Sequence, residues 1–186
     1  MEKKRRENRN FIGKQTGSNN HGFSLVEILV TIMILGLLVS VTIFHITTTQ
    51  FANVEKCSQK IEKRLNQLRL SVMSSKEQNY LIVYQAADLN YYVALSEQED
   101  AICVAEDGDQ IGNSSLRIRG KDGATIVEVS YEQAKQIVLS FQKSSGAFLS
   151  VAGKFYDSID IVNGDAIYRI YLVKETGKHY AKQVNS

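Results

Sequence analysis

Glu27 is the residue whose placement asks most of chemistry. It stands four positions after Phe23 in the stretch Gly22-Phe23-Ser24-Leu25-Val26-Glu27, which opens an apolar run reaching about Ile46. Hydrocarbon does not solvate charge, so a carboxylate in such a run needs a partner. One cut supplies it. Cleavage after Gly22 would leave a free amine on Phe23, opposite in sign to Glu27. Gly22 suits that cut, because a residue without Cβ lets the backbone lie closely in a protease groove.

The surrounding sequence must position this pair at a membrane surface. Residues 1–22 carry Lys3, Lys4, Arg5, Arg6, Arg9 and Lys14 against Glu2 and Glu7, a net of +4, whereas the remainder holds 16 basic and 18 acidic side chains. Basic residues immediately before an apolar span hold that end in the cytoplasm, which places the rest of the chain across the membrane. Phe23 to Phe44 as a helix spans about 33 Å, enough to cross a bilayer core. The run is too long for a secretory signal peptide, and no small-x-small cleavage site follows it.

Beyond the span, Val54, Cys57, Ile61, Leu65, Leu68 and Val72 recur at helical spacing, with Glu55, Lys56, Lys60, Glu62, Lys63 and Arg69 on the other faces. That is one stripe of an amphipathic helix, predicted to run on to about Ser75. The chain has no proline, so nothing covalent forces a kink. After Asn79 the pattern changes to short β-prone runs: Tyr80–Tyr84, Tyr91–Leu95, Ala101–Val104, Leu116–Arg119, Ala124–Val129, Ile137–Phe141, Ala147–Val151, Ile159–Val162, Ala166–Val173 and Lys178–Lys182. Gly120-Lys121-Asp122-Gly123 and Asn163-Gly164-Asp165 supply hairpin turns. Helix followed by hairpins predicts an α+β protein: a long N-terminal helix, membrane-spanning then amphipathic, packed on an antiparallel sheet. The expected organisation is a removable leader over 1–22, a transmembrane and assembly helix over 23–46, an amphipathic helix over 47–79, and a β-rich head over 80–186.

The Gly22-Phe23 junction, Glu27 and the basic leader resemble the type III signal of type IV pilins and of the pseudopilins of type II secretion. The resemblance covers about Phe23 to Thr48. It implies a pilin fold and a filament subunit rather than an enzyme. Prepilin peptidase, a membrane aspartyl protease, would cut between Gly22 and Phe23 and methylate the Phe23 amine. Glu27 would then act as an electrostatic ruler, contacting the Phe23 amine of a neighbouring subunit. Implied partners are the peptidase, other pilin or pseudopilin subunits, an assembly platform protein and the lipid of the inner membrane, which the chain would cross once. Many pilins carry a proline some twenty residues into the mature chain, and this chain departs from them with Phe44 in that neighbourhood.

A second resemblance covers about Ile137 to Tyr180. Val138-Leu139-Ser140-Phe141, Ser145-Gly146 and Tyr171-Leu172-Val173-Lys174-Glu175-Thr176-Gly177-Lys178 look like the H-type minor pseudopilins and FimT-like minor pilins. It implies a minor subunit of a type II secretion pseudopilus. The alternatives are a minor type IV pilin serving adhesion, motility or DNA uptake, and an uncleaved signal-anchored sensory or binding protein.

Other groups carry less. Cys57 and Cys103 fall on the extracytoplasmic side in this topology, where a disulfide is permitted; two buried free thiols are the equal alternative. Glu97, Glu99, Asp100, Glu106, Asp107 and Asp109 lack the spacing of a calcium loop and read as a solvated segment. Arg169, Lys174, Lys178 and Lys182 are where a DNA contact would fall. About four cations give only a weak, salt-sensitive grip, so nucleic acid is not an expected partner. No nucleophile elbow, phosphate loop or metal-ligand spacing occurs, and no cofactor is expected.

Overall fold

The computed structural model describes residues 23–75 and 77–184. The leader expected over 1–22, Gly22 included, lies outside the described residues. The chain divides into two compact units between Val41 and Thr42, and one helix, α1 (Leu25–Ser74), contributes to both. Neither glycine nor proline falls between Leu37 and Ser74, so nothing in the sequence breaks the backbone ladder there.

In the second unit the helix is held by its apolar stripe. Val54, Cys57, Ile61, Leu65, Leu68 and Val72 are all 0% exposed, and these are the residues that periodicity singled out. Burying an aliphatic side chain of this size contributes roughly 1.5–3 kcal/mol. Ten strands follow among the described residues: β1 (Tyr80–Gln85), β2 (Tyr91–Ser96), β3 (Asp109–Gly112), β4 (Arg117–Asp122), β5 (Thr125–Glu128), β6 (Ile137–Phe141), β7 (Phe148–Leu149), β8 (Ser158–Asn163), β9 (Ala166–Val173) and β10 (Lys178–Val184).

The strands form two antiparallel sheets where the sequence suggests one, ordered β3-β2-β1-β6-β7 and β10-β9-β8-β4-β5. The split arises because β1 pairs with β6 and β4 with β8. Such pairings bridge distant chain segments and leave no local signature. One core joins both sheets to the helix. Leu81, Val83, Tyr91, Val93, Ile118, Ile137, Phe141, Ile159, Ile161 and Ile170 all belong to the cluster that holds the helix stripe. A second, smaller cluster sits on the other face of the first sheet: Ile82, Tyr84, Tyr92 and Ala94, which alternate with the core residues of the same strands.

Two further expectations are corrected. Ala101–Val104 is not a strand. β2 already pairs β1 on one side and β3 on the other, so this segment finds no free edge. It folds back over the second cluster, with Ala101 and Cys103 packed against it and Ile102 left 95% exposed. The Tyr84 hydroxyl donates to the Val104 carbonyl at 2.8 Å and pins it there. In the β4–β5 hairpin, Asp122 faces Thr125, so the turn is Gly123-Ala124 and Gly120 and Lys121 belong to the strand. Gly123 takes φ +55°, the conformation that lets a two-residue turn close.

Candidate functional site: the N-terminal assembly segment

The first unit holds the residues on which the functional expectations concentrate. The helix opens with the Ile28 amide bonded to the Ser24 carbonyl at 3.1 Å, which makes Ser24 its N-cap. Glu27 is then the third helical residue, the spacing of a capping box, and its acid lies in the positively polarised first turn. Sequence reading missed this role of Ser24; the Ser-x-x-Glu spacing before an apolar run was the available signal.

From Phe23 to Thr42 every residue is exposed, Phe23 itself to 78%. Leu25–Thr42 has a mean hydropathy of 2.5 over 18 residues, none buried, and is the one described helical segment long and apolar enough to cross a membrane. The helix conceals its own polar groups. Thr31 Oγ1 donates to the Ile28 carbonyl and Ser40 Oγ to the Gly36 carbonyl, each at 2.8 Å. Nothing fills the space beside the Gly36 Cα, so the backbone is open to close approach there. Such a surface has no partner within its own unit; only lipid or other apolar helices match it.

The remaining candidates are scattered. Cys57 and Cys103 are both free thiols in the structure. Cys57 lies in the main core and Cys103 against the second cluster, on opposite faces of the first sheet. A bridge tolerates Cα atoms no more than about 7 Å apart, and the backbone of the sheet intervenes. Burial pushes the Cys57 thiol up to about 12, against a weak opposing pull from Lys60. Among the described residues no group of His, Cys, Asp and Glu is placed to hold a metal ion.

The four cations named for DNA do not converge. Arg169 is committed to Asp160, with Nε to Oδ1 at 2.5 Å and Nη2 to Oδ2 at 2.9 Å. Lys121 approaches the same carboxylate at 2.9 Å. Burial alone would raise the Asp160 carboxyl, but its hydrogen bonds and charge pairing with Arg169 and Lys121 outweigh that and hold it below the usual range. Lys174 lies over the Phe155 ring at 5.0 Å. Lys178 and Lys182 are exposed on β10, where Lys182 faces Arg169 across the ladder.

The residues of the second resemblance do come together. Phe141 stacks on Phe148 at 4.5 Å between centroids, Arg69 donates to the Thr176 carbonyl at 3.0 Å, and a Cβ on Gly177 would run into the Gly146 carbonyl oxygen. Gly177 also takes φ +65°, a conformation that glycine adopts without strain.

Residues 17–43 match the family model described as the prokaryotic N-terminal methylation motif. The match covers the Gly22-Phe23 junction, Glu27 and the exposed apolar helix, and it supports placing the chain with the type IV pilins and pseudopilins. The motif supports reading the chain as a type IV pilin-like substrate of prepilin peptidase, and it implies assembly with other pilin subunits. No curated protein and no solved structure matches the chain.

Proposed function

We propose that this chain is a minor pseudopilin of a type II secretion pseudopilus. It enters the inner membrane with its leader in the cytoplasm and its head outside. Prepilin peptidase cuts it between Gly22 and Phe23 and methylates the Phe23 amine. A platform membrane protein then moves it into a filament. The observation that carries the filament reading is the apolar surface of Leu25–Thr42, with none of it buried and a single acid in its first turn. In a filament, equivalent helices replace lipid around that surface. Glu27 of one subunit meets the Phe23 amine of the next, and the carboxylate acquires the partner that the bilayer denies it. Each charge satisfies the other only at one axial offset, so the pair sets the step between subunits.

The secretion role is supported by the meeting of Phe141, Gly146 and Thr176-Gly177, the residues that look like the H-type minor pseudopilins. A pilus for DNA uptake is the second reading, favoured by the exposed Lys178 and Lys182 on the free edge of the second sheet. Against it, Arg169 is occupied by Asp160, and lysines on an edge strand also keep it from pairing with other chains.

Intact mass and N-terminal sequencing of the protein from cells with and without prepilin peptidase test the filament reading. The expected product begins at N-methyl-Phe23 only when the peptidase is present; retention of Met1–Gly22 in peptidase-positive cells overturns it. Deleting the gene then separates the two filament roles. Lost exoprotein secretion with intact DNA uptake and motility is expected, and the reverse pattern selects the pilus.

A further inference from the structure

The head carries a row of lysines that no acid among the described residues pairs with. Lys56, Lys60 and Lys63 share one face of α1 and line a groove of about 450 Å³ against β3, together with Gln59 and Asn113. All three lysines are exposed and none has an ion-pair partner among the described residues. Lys60 Nζ donates to the Gln110 carbonyl at 2.8 Å, which fixes it at the wall of the groove. The nearest acids on the helix, Glu55 and Glu62, stand roughly 100–120° away around its axis.

One turn further along α1 the sign reverses. Arg64 is paired with Asp109, and Glu106, Asp107 and Asp109 line the depression beside it. The stretch Leu95–Gly112 contains Glu97, Glu99, Asp100, Glu106, Asp107 and Asp109 and not one Lys or Arg, and its last three acids are the ones beside Arg64. β3 runs antiparallel to the helix, with Asp109 beside Arg64 and Gln110 beside Lys60. One strip of surface is therefore cationic toward Asn53 and anionic beyond Arg64.

We infer that the lysine groove receives the acidic β2–β3 segment of a second copy of this chain. A copy advanced by about eight residues along α1, about 12 Å, brings its Lys56 level with Asp109 of the first, and its Lys60 and Lys63 toward Asp107 and Glu106. Groove and acidic segment are different patches, so the contact is head-to-tail and leaves one of each free to meet a further subunit. The inference rests on the filament reading for its biological setting alone.

The test uses full-length chains reconstituted in vesicles of phosphatidylethanolamine and phosphatidylglycerol, in two differently tagged forms, with co-purification as the readout. Wild-type copies are expected to associate, and 0.5 M salt to release them. K60E/K63E and E106K/D107K should each associate with themselves at least tenfold less than wild type. A mixture of the two variants should regain most of the loss, because the acidified groove now meets a basic segment. No loss in either variant, or loss without recovery in the mixture, overturns the inference. Thermal melting establishes that each variant folds, and K60Q/K63Q substitutes for one that does not. The head contact needs no cleavage. Association by a chain that keeps its leader in cells would sink the filament reading and leave the contact standing, whereas a cleaved chain without association would do the opposite.

Discussion

Two stretches of the same helix, Leu25–Thr42 and Val54–Val72, solve opposite problems with the same backbone. In the later stretch six apolar residues recur every three or four positions and are fully buried in the core shared with the strands, while Leu70, off that stripe, is exposed. In the earlier stretch nearly every residue is apolar and none is buried. The difference teaches where each stretch finds its partner. An amphipathic face is completed by its own chain, whereas an all-round apolar surface is completed only by a bilayer or other subunits.

Substitutions in the two stretches should therefore fail in different assays. The largest effect is expected from Glu27→Leu. It makes the span uniformly apolar and removes the partner of the Phe23 amine, so the protein should insert and be cleaved normally but fall at least tenfold in sheared filaments. Unchanged incorporation would remove the role given to Glu27. Next comes Leu65→Ala, which empties a fully buried site and should lower the unfolding free energy of the head by about 2–5 kcal/mol. Leu35→Ala, on the exposed stretch, should leave the urea midpoint of the head unmoved. Equal shifts in both variants would erase the distinction between the stretches.

The smallest effect concerns a charged group that the head completes within itself. The Asp160 carboxyl is held below its ordinary range in the folded head, so its contribution is fully present above the unfolded value near 4 and fades as pH falls through the lowered folded value. Asp160→Asn should cost about 1–3 kcal/mol at neutral pH, the exposure of Arg169 and Lys121 moderating the loss. It should also flatten the acid limb of the stability profile measured by urea titration between pH 6 and 2. An unchanged acid limb would show that the carboxylate is not distinguished from its unfolded state.

The helix stripe was legible residue by residue because a period of three to four survives whatever the stripe packs against. The Asn163-Gly164-Asp165 hairpin was legible too, and its register held more than was taken from it. A two-residue turn that sets Asn163 opposite Ala166 also sets Asp160 opposite Arg169, so the ion pair could have been read from the turn. The pairing of β1 with β6 and of β4 with β8 was not legible. These contacts join segments dozens of residues apart, and strand propensity says nothing about which edge a strand will find. Ala101–Val104 shows the same limit in reverse: an apolar run with strand composition, turned aside because both edges of β2 were taken. The lysine groove escaped notice because Lys56, Lys60 and Lys63 read as an ordinary solvated face until β3 was laid beside them.

The inward-bonded hydroxyls of Thr31 and Ser40 have a consequence for how a filament tells its members apart. Each spends its only proton on its own helix, so neither can donate a hydrogen bond sideways to label a preferred neighbour. What faces outward from this segment is grease plus one acid, a plug that fits any socket of the same kind. Two filament proteins of unlike heads could exchange such plugs freely, and the order in which they stack would then be written in the heads alone.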